Sequence, residues 1–319
     1  MTFTSTPKNG SSWQDSLLFG IDTEQENPLD ITLEIASTKG QIAQRKIYGV
    51  TATEVDIAPY LREQSCLPPT IANSATLIQS PSAQTIRLTA NGTRSGNISL
   101  FHAPFDSTTP HAISTQYPLR YIAATEPIIL TLFAPMNIQV NISFIGASVI
   151  RDTTLNAKTQ GIPINLIIPA SDYPPAVERI HVEVIGDKKE LAVMDYIIVD
   201  KGPSAWCMAW FNKRGGIETY TFPLSIRLSY DAKLSESASL EAYKPLESST
   251  IHHRLCSAYE SQVEMERLAE MVFSPRIFLV RDNEMIPVAL TSRHIEFDRH
   301  GTLKQMCIEV EQEWKGGIL

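Results

Sequence analysis

The sequence predicts a mainly β chain made of tandem β-sandwich-like domains, with a single packed α-helix in the C-terminal one (α+β). Three observations lead there. Short stretches of alternating apolar and polar residues recur along the chain, separated by turn-forming residues. Charged residues are 19% of the composition against 43% hydrophobic, a balance that suits strands with hydroxyl-rich faces better than charged helices. Only one segment, 259–273, carries apolar side chains at helical spacing.

A chain of 319 residues is long for one core, and the pattern divides it into units over 1–120, 121–200 and 201–319. The first opens on a polar segment holding an apolar cluster at Trp13, Leu17, Leu18 and Phe19. Ile31, Leu33 and Ile35 then alternate with Asp30, Thr32 and Glu34, the period of a half-buried strand, and a turn follows at 38–40. Ile42 to Val50 and Val55 to Ile57 read as strands, and Ala58 to Arg62 as a helical turn carrying Tyr60 and Leu61 inward. Thr85 to Thr89 ends in Asn91-Gly92, a pair suited to a tight hairpin, with Ile98 to Phe101 as the return. The polar stretch 106–118 reads as a connection.

In the second unit, strands are expected at 128–133, 138–144, 164–168, 180–184 and 191–200, a sandwich-like rhythm. In the third, strands are expected at 224–228, 251–255, 277–280, 286–290 and 306–310. The helix over 259–273 places Val263, Leu268, Met271 and Val272 on one flank, and Ser274-Pro275 stops it.

The net charge of −8 is spread along the chain, and none of the three units has a basic excess. A nucleic-acid reader or a polybasic membrane-surface binder needs clustered Lys and Arg, so neither partner is expected. The N-terminus has no basic stretch leading into an apolar core, and no run of about 18 apolar residues follows; the expectation is cytoplasmic synthesis without a signal peptide. Cys66, Cys207, Cys256 and Cys307 lie far apart with no CxxC, which predicts reduced, buried thiols.

No zinc-protease, phosphate-loop, dinucleotide or nucleophile-elbow motif is present, and the chain is expected to be non-enzymatic, with no cofactor and no metal. His252, His253 and Cys256 are close in sequence, but on a strand the two histidines point to opposite faces and cannot share an ion. His294 and His300 flank Asp298, in what reads as an exposed hairpin turn. Glu309, Glu311 and Glu313 share a strand face that reads as solvated. Trp206, Trp210, Phe211, Tyr220 and Phe222 form the one dense aromatic cluster, which suits a core, an interface or stacking on sugar rings.

The segment from Asp195 to Pro223 is the most distinctive. It reads as a β-hairpin: an apolar strand ending in Trp210-Phe211, a turn with Asn212, Gly215 and Gly216, and a return strand with Ile217, Thr219 and Thr221 on one face and Tyr220 and Phe222 on the other. The wording Trp210-x-Asn212-x-x-Gly215-Gly216 resembles a pattern in uncharacterised phage- and prophage-derived structural proteins of Bacteroidetes-type bacteria. Val55-Asp56-Ile57-Ala58-Pro59-Tyr60-Leu61 resembles the step closing their first sandwich. Ser274-Pro275-Arg276-Ile277-Phe278-Leu279 with Ile286-Pro287-Val288 resembles their ending. The resemblance implies a tail- or baseplate-like particle component that contacts other subunits, as a homo-oligomer or ring, and it implies no catalytic residue. The alternative is a carbohydrate-binding β-sandwich module that recognises host or other glycans. Trp206, Trp210, Phe211, Asn212, Gly215, Gly216, Tyr220 and Phe222 are the candidate interface or ligand-contact residues under either reading.

Overall fold

A computed structural model describes residues 1–37, 40–62, 67–81, 83–104, 111–115, 118–133, 135–158, 162–186, 189–234, 246–291 and 297–313. Strand accounts for 61% and helix for 7%, which makes the chain mainly β, as its alternation predicts.

The first unit contains β1 (Thr2–Ser5), β2 (Leu18–Asp22), β3 (Leu29–Ser37), β4 (Gly40–Val50), β5 (Ala52–Asp56) and the short helix α1 (Ala58–Arg62). After them come β6 (Thr76–Gln79), β7 (Gln84–Ala90) and β8 (Ile98–Phe101). One antiparallel sheet runs β1-β2-β5, and the other runs from a short strand at Ser11–Ser12 through β8, β7 and β3 to β4. The two-residue period puts Ile31, Leu33 and Ile35 of β3 on the face that meets Ile86 and Leu88 of β7, while Phe19 and Ile21 of β2 join the same core. Trp13 and Leu17 are buried there too, whereas Leu18 is exposed. Asn91 and Gly92 both take positive φ and the chain pairs again at Thr93, a two-residue hairpin.

The second unit contains β9 (Leu119–Ala123), β10 (Ile128–Phe133), β11 (Asn137–Ile145), β12 (Val149–Lys158), β13 (Ile164–Ile168), β14 (Arg179–Gly186) and β15 (Lys189–Val199). One sheet runs β9-β15-β14-β11-β12; the facing one runs from a short strand at His111–Ala112 through β10 and β13 to β6. Ile138, Val140, Ile142 and Phe144 meet Ile180, Val182 and Val184 from the neighbouring strand and Leu130, Leu132 and Leu166 from the opposite sheet. Three strands cross the line expected at residue 120: β6 and the short strand at His111–Ala112 belong to the second unit's sheet, and β9 straddles the line and pairs in parallel with β15. The stretch expected as a polar connection over 106–118 is, among its described residues, threaded between units, with Ile113 and Ser114 buried.

The third unit contains β16 (Trp206–Phe211), β17 (Ile217–Phe222), β18 (Leu224–Leu234), β19 (Leu246–Cys256), α2 (Gln262–Ala269), β20 (Ile277–Arg281), β21 (Glu284–Leu290), β22 (Phe297–His300) and β23 (Leu303–Glu313). Its sheet runs β17-β16-β20-β21-β23-β19-β18, and β22 pairs with β23 off this path. The helix is shorter than the expected 259–273. Ser261 caps it by accepting a hydrogen bond from the Glu264 N–H at 3.3 Å, and a 3-10 turn, Glu270–Phe273, completes it before Ser274. Its inward stripe differs from the expected flank: Met265, Arg267, Leu268 and Met271 are buried, while Val263 is 54% exposed. The helix is turned so that Arg267 lies over the Trp210 ring at 5.3 Å.

The cysteines require one correction. Cys256 of β19 and Cys307 of β23 stand directly opposite and form a disulfide, with Cα atoms 4.1 Å apart. They are 51 residues apart in sequence, and only the strand register brings them together. Cys207 is a free, buried thiol, and Cys66 lies outside the described residues. Among the described residues, no helix is long and apolar enough to cross a membrane.

Candidate functional site

The distinctive segment folds as the hairpin its residues predict, with Trp206 opposite Phe222 and Phe211 opposite Ile217. Strand alternation divides its side chains between two cores. Cys207, Ala209, Phe211 and Ile217 pack into the core of the first unit, together with Phe278 and Val280 of β20. Met208, Trp210, Tyr220 and Phe222 face the other way, toward Leu268 and Met271. Both faces of β17 are therefore buried, which a free hairpin could not achieve.

The tip explains its own wording. The Asn212 Oδ1 accepts from the N–H groups of Arg214 at 3.0 Å and Gly216 at 2.9 Å, while its Nδ2 donates to the Ile113 carbonyl at 3.1 Å and to Glu218 Oε1 at 2.9 Å. A buried amide with all these partners both shapes the turn and ties it to the neighbouring unit. Gly215 has φ +84°, and a Cβ there would lie 2.3 Å from the His102 Cβ. A Cβ at Gly216 would lie 2.7 Å from the Ser114 backbone nitrogen. Two successive glycines are needed because the tip presses against residues 102 and 113–114.

A buried polar network surrounds this contact. Arg267 donates to Glu218 Oε2 at 3.2 Å, to the Thr219 carbonyl at 3.0 Å and to both oxygens of Glu264. Glu218 Oε1 also accepts from the Thr115 N–H at 2.7 Å. Arg120 donates to the Thr219 carbonyl at 2.8 Å and sits 3.6 Å from Glu126, whose other oxygen accepts from the Thr221 hydroxyl at 2.8 Å. Arg120 and Glu126 come from the second unit and Thr219 and Thr221 from the hairpin, so the network stitches the two together. Burial works against the Arg267 charge, but Glu264 and Glu218 outweigh it and raise the pKa. The Glu264 carboxyl is pushed up by burial and drawn down further by Arg267, for a net lowering. Tyr220 donates to Glu260 Oε1 at 2.8 Å and accepts from the Ala258 N–H; burial and the Glu260 charge raise its phenol well above the ordinary value. A carboxylate such as Glu218, with both oxygens engaged by amide and guanidinium donors, is a fixed acceptor that holds its neighbours in place.

Of the eight residues singled out from the sequence, Trp210, Phe211, Asn212, Gly215, Gly216, Tyr220 and Phe222 are buried within this junction. Trp206 alone is part-exposed. It stacks at a tilt on His253, with ring centroids 4.1 Å apart, and borders a cleft of about 700 Å³ between the second and third units. Ser171 lines the cleft from one side and Arg281, Asp282 and Asn283 from the other; Asn283 donates to the Ser171 hydroxyl at 2.9 Å across it. The sequence reading missed Glu218, Arg267, Arg120 and Glu126. The available signal was Arg267, which shares the helix stripe with Leu268 and Met271 at a spacing where an apolar residue belongs.

The remaining candidates stay apart. His252 Nε2 lies 3.1 Å from Asp231, His253 is buried under Trp206, and Cys256 is in the disulfide. Asp298 and His300 are exposed on β22, and His294 lies outside the described residues. Glu309 is exposed, Glu311 is half-buried, and the Glu313 side chain is outside the described set. Among the described residues, no group of three or more His, Cys, Asp or Glu side chains could hold a metal ion.

No family model matches the chain, and no curated protein matches it. Among solved structures, it is similar to a crystal structure of CBD12 from CALX1.2, at 8% identity over 58% of this chain and 93% of that one, with a TM-score of 0.18. It is also similar to a marsupial T cell receptor, at 11% identity over 97% of this chain and 90% of that one, again with a TM-score of 0.18. Likenesses this distant carry no argument about function.

Proposed function

We propose that the chain is a non-enzymatic structural component acting through protein–protein contacts, an assembly subunit of a phage tail- or baseplate-like particle. The observation that supports this reading is the junction. Seven of the eight candidate contact residues, all but Trp206, are buried where the hairpin locks the three β units to one another. A subunit that transmits geometry to its neighbours needs that stiffness, whereas a pocket enzyme needs polar groups facing a cavity. The particle class rests on the resemblance of the hairpin and the C-terminal segments described above.

Light scattering of the purified chain, alone and with the products of its neighbouring genes, tests the reading. A discrete homo-oligomer or a stoichiometric complex is expected. A strict monomer at high concentration that joins no such complex would overturn it. Trp206 supports a second reading, glycan binding, because its ring borders the cleft beside Arg281, Asp282 and Asn283. Glycan-array hits abolished by Trp206→Ala are the expected result under that reading.

A further inference from the structure

The strand β18 is, among the described residues, the terminal strand of the third unit's sheet, paired with β19 on one side only. An edge of 11 residues leaves a row of backbone N–H and C=O groups directed outward, a template for another strand. Edges are ordinarily blunted by charge. The edge strand β4 follows that practice, with Gln44, Arg45 and Lys46 exposed in succession. On β18 the exposed charges of Arg227 and Asp231 are interleaved with a row of exposed apolar side chains, Leu224, Ile226, Leu228 and Tyr230, with Leu228 at 50% and Tyr230 at 53%.

The order of residues along this edge is self-complementary. An antiparallel partner related by a two-fold axis perpendicular to the sheet keeps the same faces aligned, so residues of like parity oppose one another. With the axis at Ser229, the midpoint of Leu224–Leu234, Arg227 of each copy stands opposite Asp231 of the other, and Leu228 stands opposite Tyr230. Each of these pairs occurs twice. Arg227, Ser229 and Asp231 lie on one face with His252 and Arg254, and Leu228 and Tyr230 on the other with Ile251 and His253, as the pairing with β19 shows. Neighbouring registers lose the match: an axis at residue 228 sets Arg227 opposite Ser229 and Asp231 opposite Ser225, and an axis at 230 sets Ser229 opposite Asp231. The bulge at Ile226 bounds the regular stretch on its N-terminal side. Asp231 is within 3.1 Å of His252 yet 81% exposed, so its carboxylate remains accessible to a second cation.

We infer that β18 pairs antiparallel with β18 of a second copy of this chain about a two-fold axis at Ser229, joining two third-unit sheets into one. This deepens the assembly reading, on which it rests, by naming the first contact such an assembly uses. It is edge-to-edge strand addition, in which backbone hydrogen bonds supply the affinity and the Arg227–Asp231 and Leu228–Tyr230 pairs set the register.

The test is sedimentation of the full-length chain from about 1 µM to about 500 µM, a range that spans weak to moderate dimers. A concentration-dependent dimer is expected. Arg227→Asp, which sets like charges opposite each other twice, should weaken it by about tenfold or more, and the reversal Arg227→Asp with Asp231→Arg should restore it to within about threefold. Ser229→Cys in a Cys66→Ser background should cross-link to a covalent dimer under mild oxidation, with circular dichroism confirming that each variant folds. A dimer that is indifferent to the charge reversal and does not cross-link at 229 overturns this interface and leaves the assembly reading standing. A monomer at every concentration overturns the interface as well, and the assembly reading then depends on the complex with neighbouring gene products.

Discussion

His102 shows how a single side chain couples the first unit to the hairpin. Its Cβ lies under Gly215, its ring stands edge-on to Trp13 with centroids 6.3 Å apart, and Gln14 Nε2 is 2.7 Å from its Nε2. Burial lowers its pKa from 6.5 to about 4, so the folded protein keeps the ring neutral where an unfolded chain would already be protonated. The folded pKa lies below the unfolded one, and the sign follows. Stability is at its full value above pH 6.5 and falls as the pH drops toward 4, because the unfolded state binds a proton that the folded state does not. The loss amounts to about 3 kcal/mol at 1.36 kcal/mol per pH unit. Urea unfolding at pH 7.5 and pH 4.5 should show most of this difference in the wild type and little of it in His102→Gln. Equal losses in both proteins would sink the assignment. Asp56 and Asp195, whose carboxyls are lowered on balance by hydrogen bonds that outweigh burial, lose their contribution only at still lower pH.

At the scale of elements, β19 and β23 are held by seven register pairs and by the Cys256–Cys307 disulfide. In the chain-entropy account, closing a loop of this length restricts the unfolded chain by about 4 kcal/mol, an upper figure because the denatured state retains structure. Thermal melting with and without a strong thiol reductant should show a lower midpoint for the reduced protein, and Cys207 offers no substitute because burial holds it as a thiol. An unchanged midpoint would mean that the bond adds nothing to the register. The strands themselves were largely legible: β3, β7, β11 and β14 show period-2 alternation because one face meets a core and the other meets water or a neighbouring sheet. Among the strands of four residues or more, β1, β2, β6, β9, β12 and β22 were not. β6 is only four residues long, and β12 is filled with Thr, Asn, Asp and Arg, so neither has an alternation to detect. The hairpin was legible in outline from Asn212, Gly215 and Gly216. Its burial was not, because alternate faces of one strand entering two different cores produce the same composition as a single aromatic patch.

For the molecule as a whole, the partition of cores matters more than the partition of sequence. Phe211, Ile217 and Phe278 of the third unit share a core with Phe19, Leu88 and Leu100 of the first, although about a hundred residues intervene. The second unit contributes Ile129, Phe133 and Ile167 to this shared core and builds a further core of its own between its two sheets. Scanning calorimetry should therefore show the first and third units melting in one transition, and Phe211→Ala, which removes about 3–5 kcal/mol of packing, should move that transition as a block. A variant in which the third unit melts earlier while the first is unaffected would contradict a shared core.

The sheet order β17-β16-β20-β21-β23-β19-β18 places β23 between two strands made before it. During translation, β19 and β21 emerge with open edges facing the same gap, and the gap stays unfilled until residues 303–313 have left the ribosome. Until then, the nascent third unit exposes two additional edges to other chains, so synthesis is the interval in which it most needs protection from mispairing. When β23 arrives it closes both edges at once, and Cys307 reaches Cys256 only at that moment, so formation of the disulfide reports that the sheet has been completed.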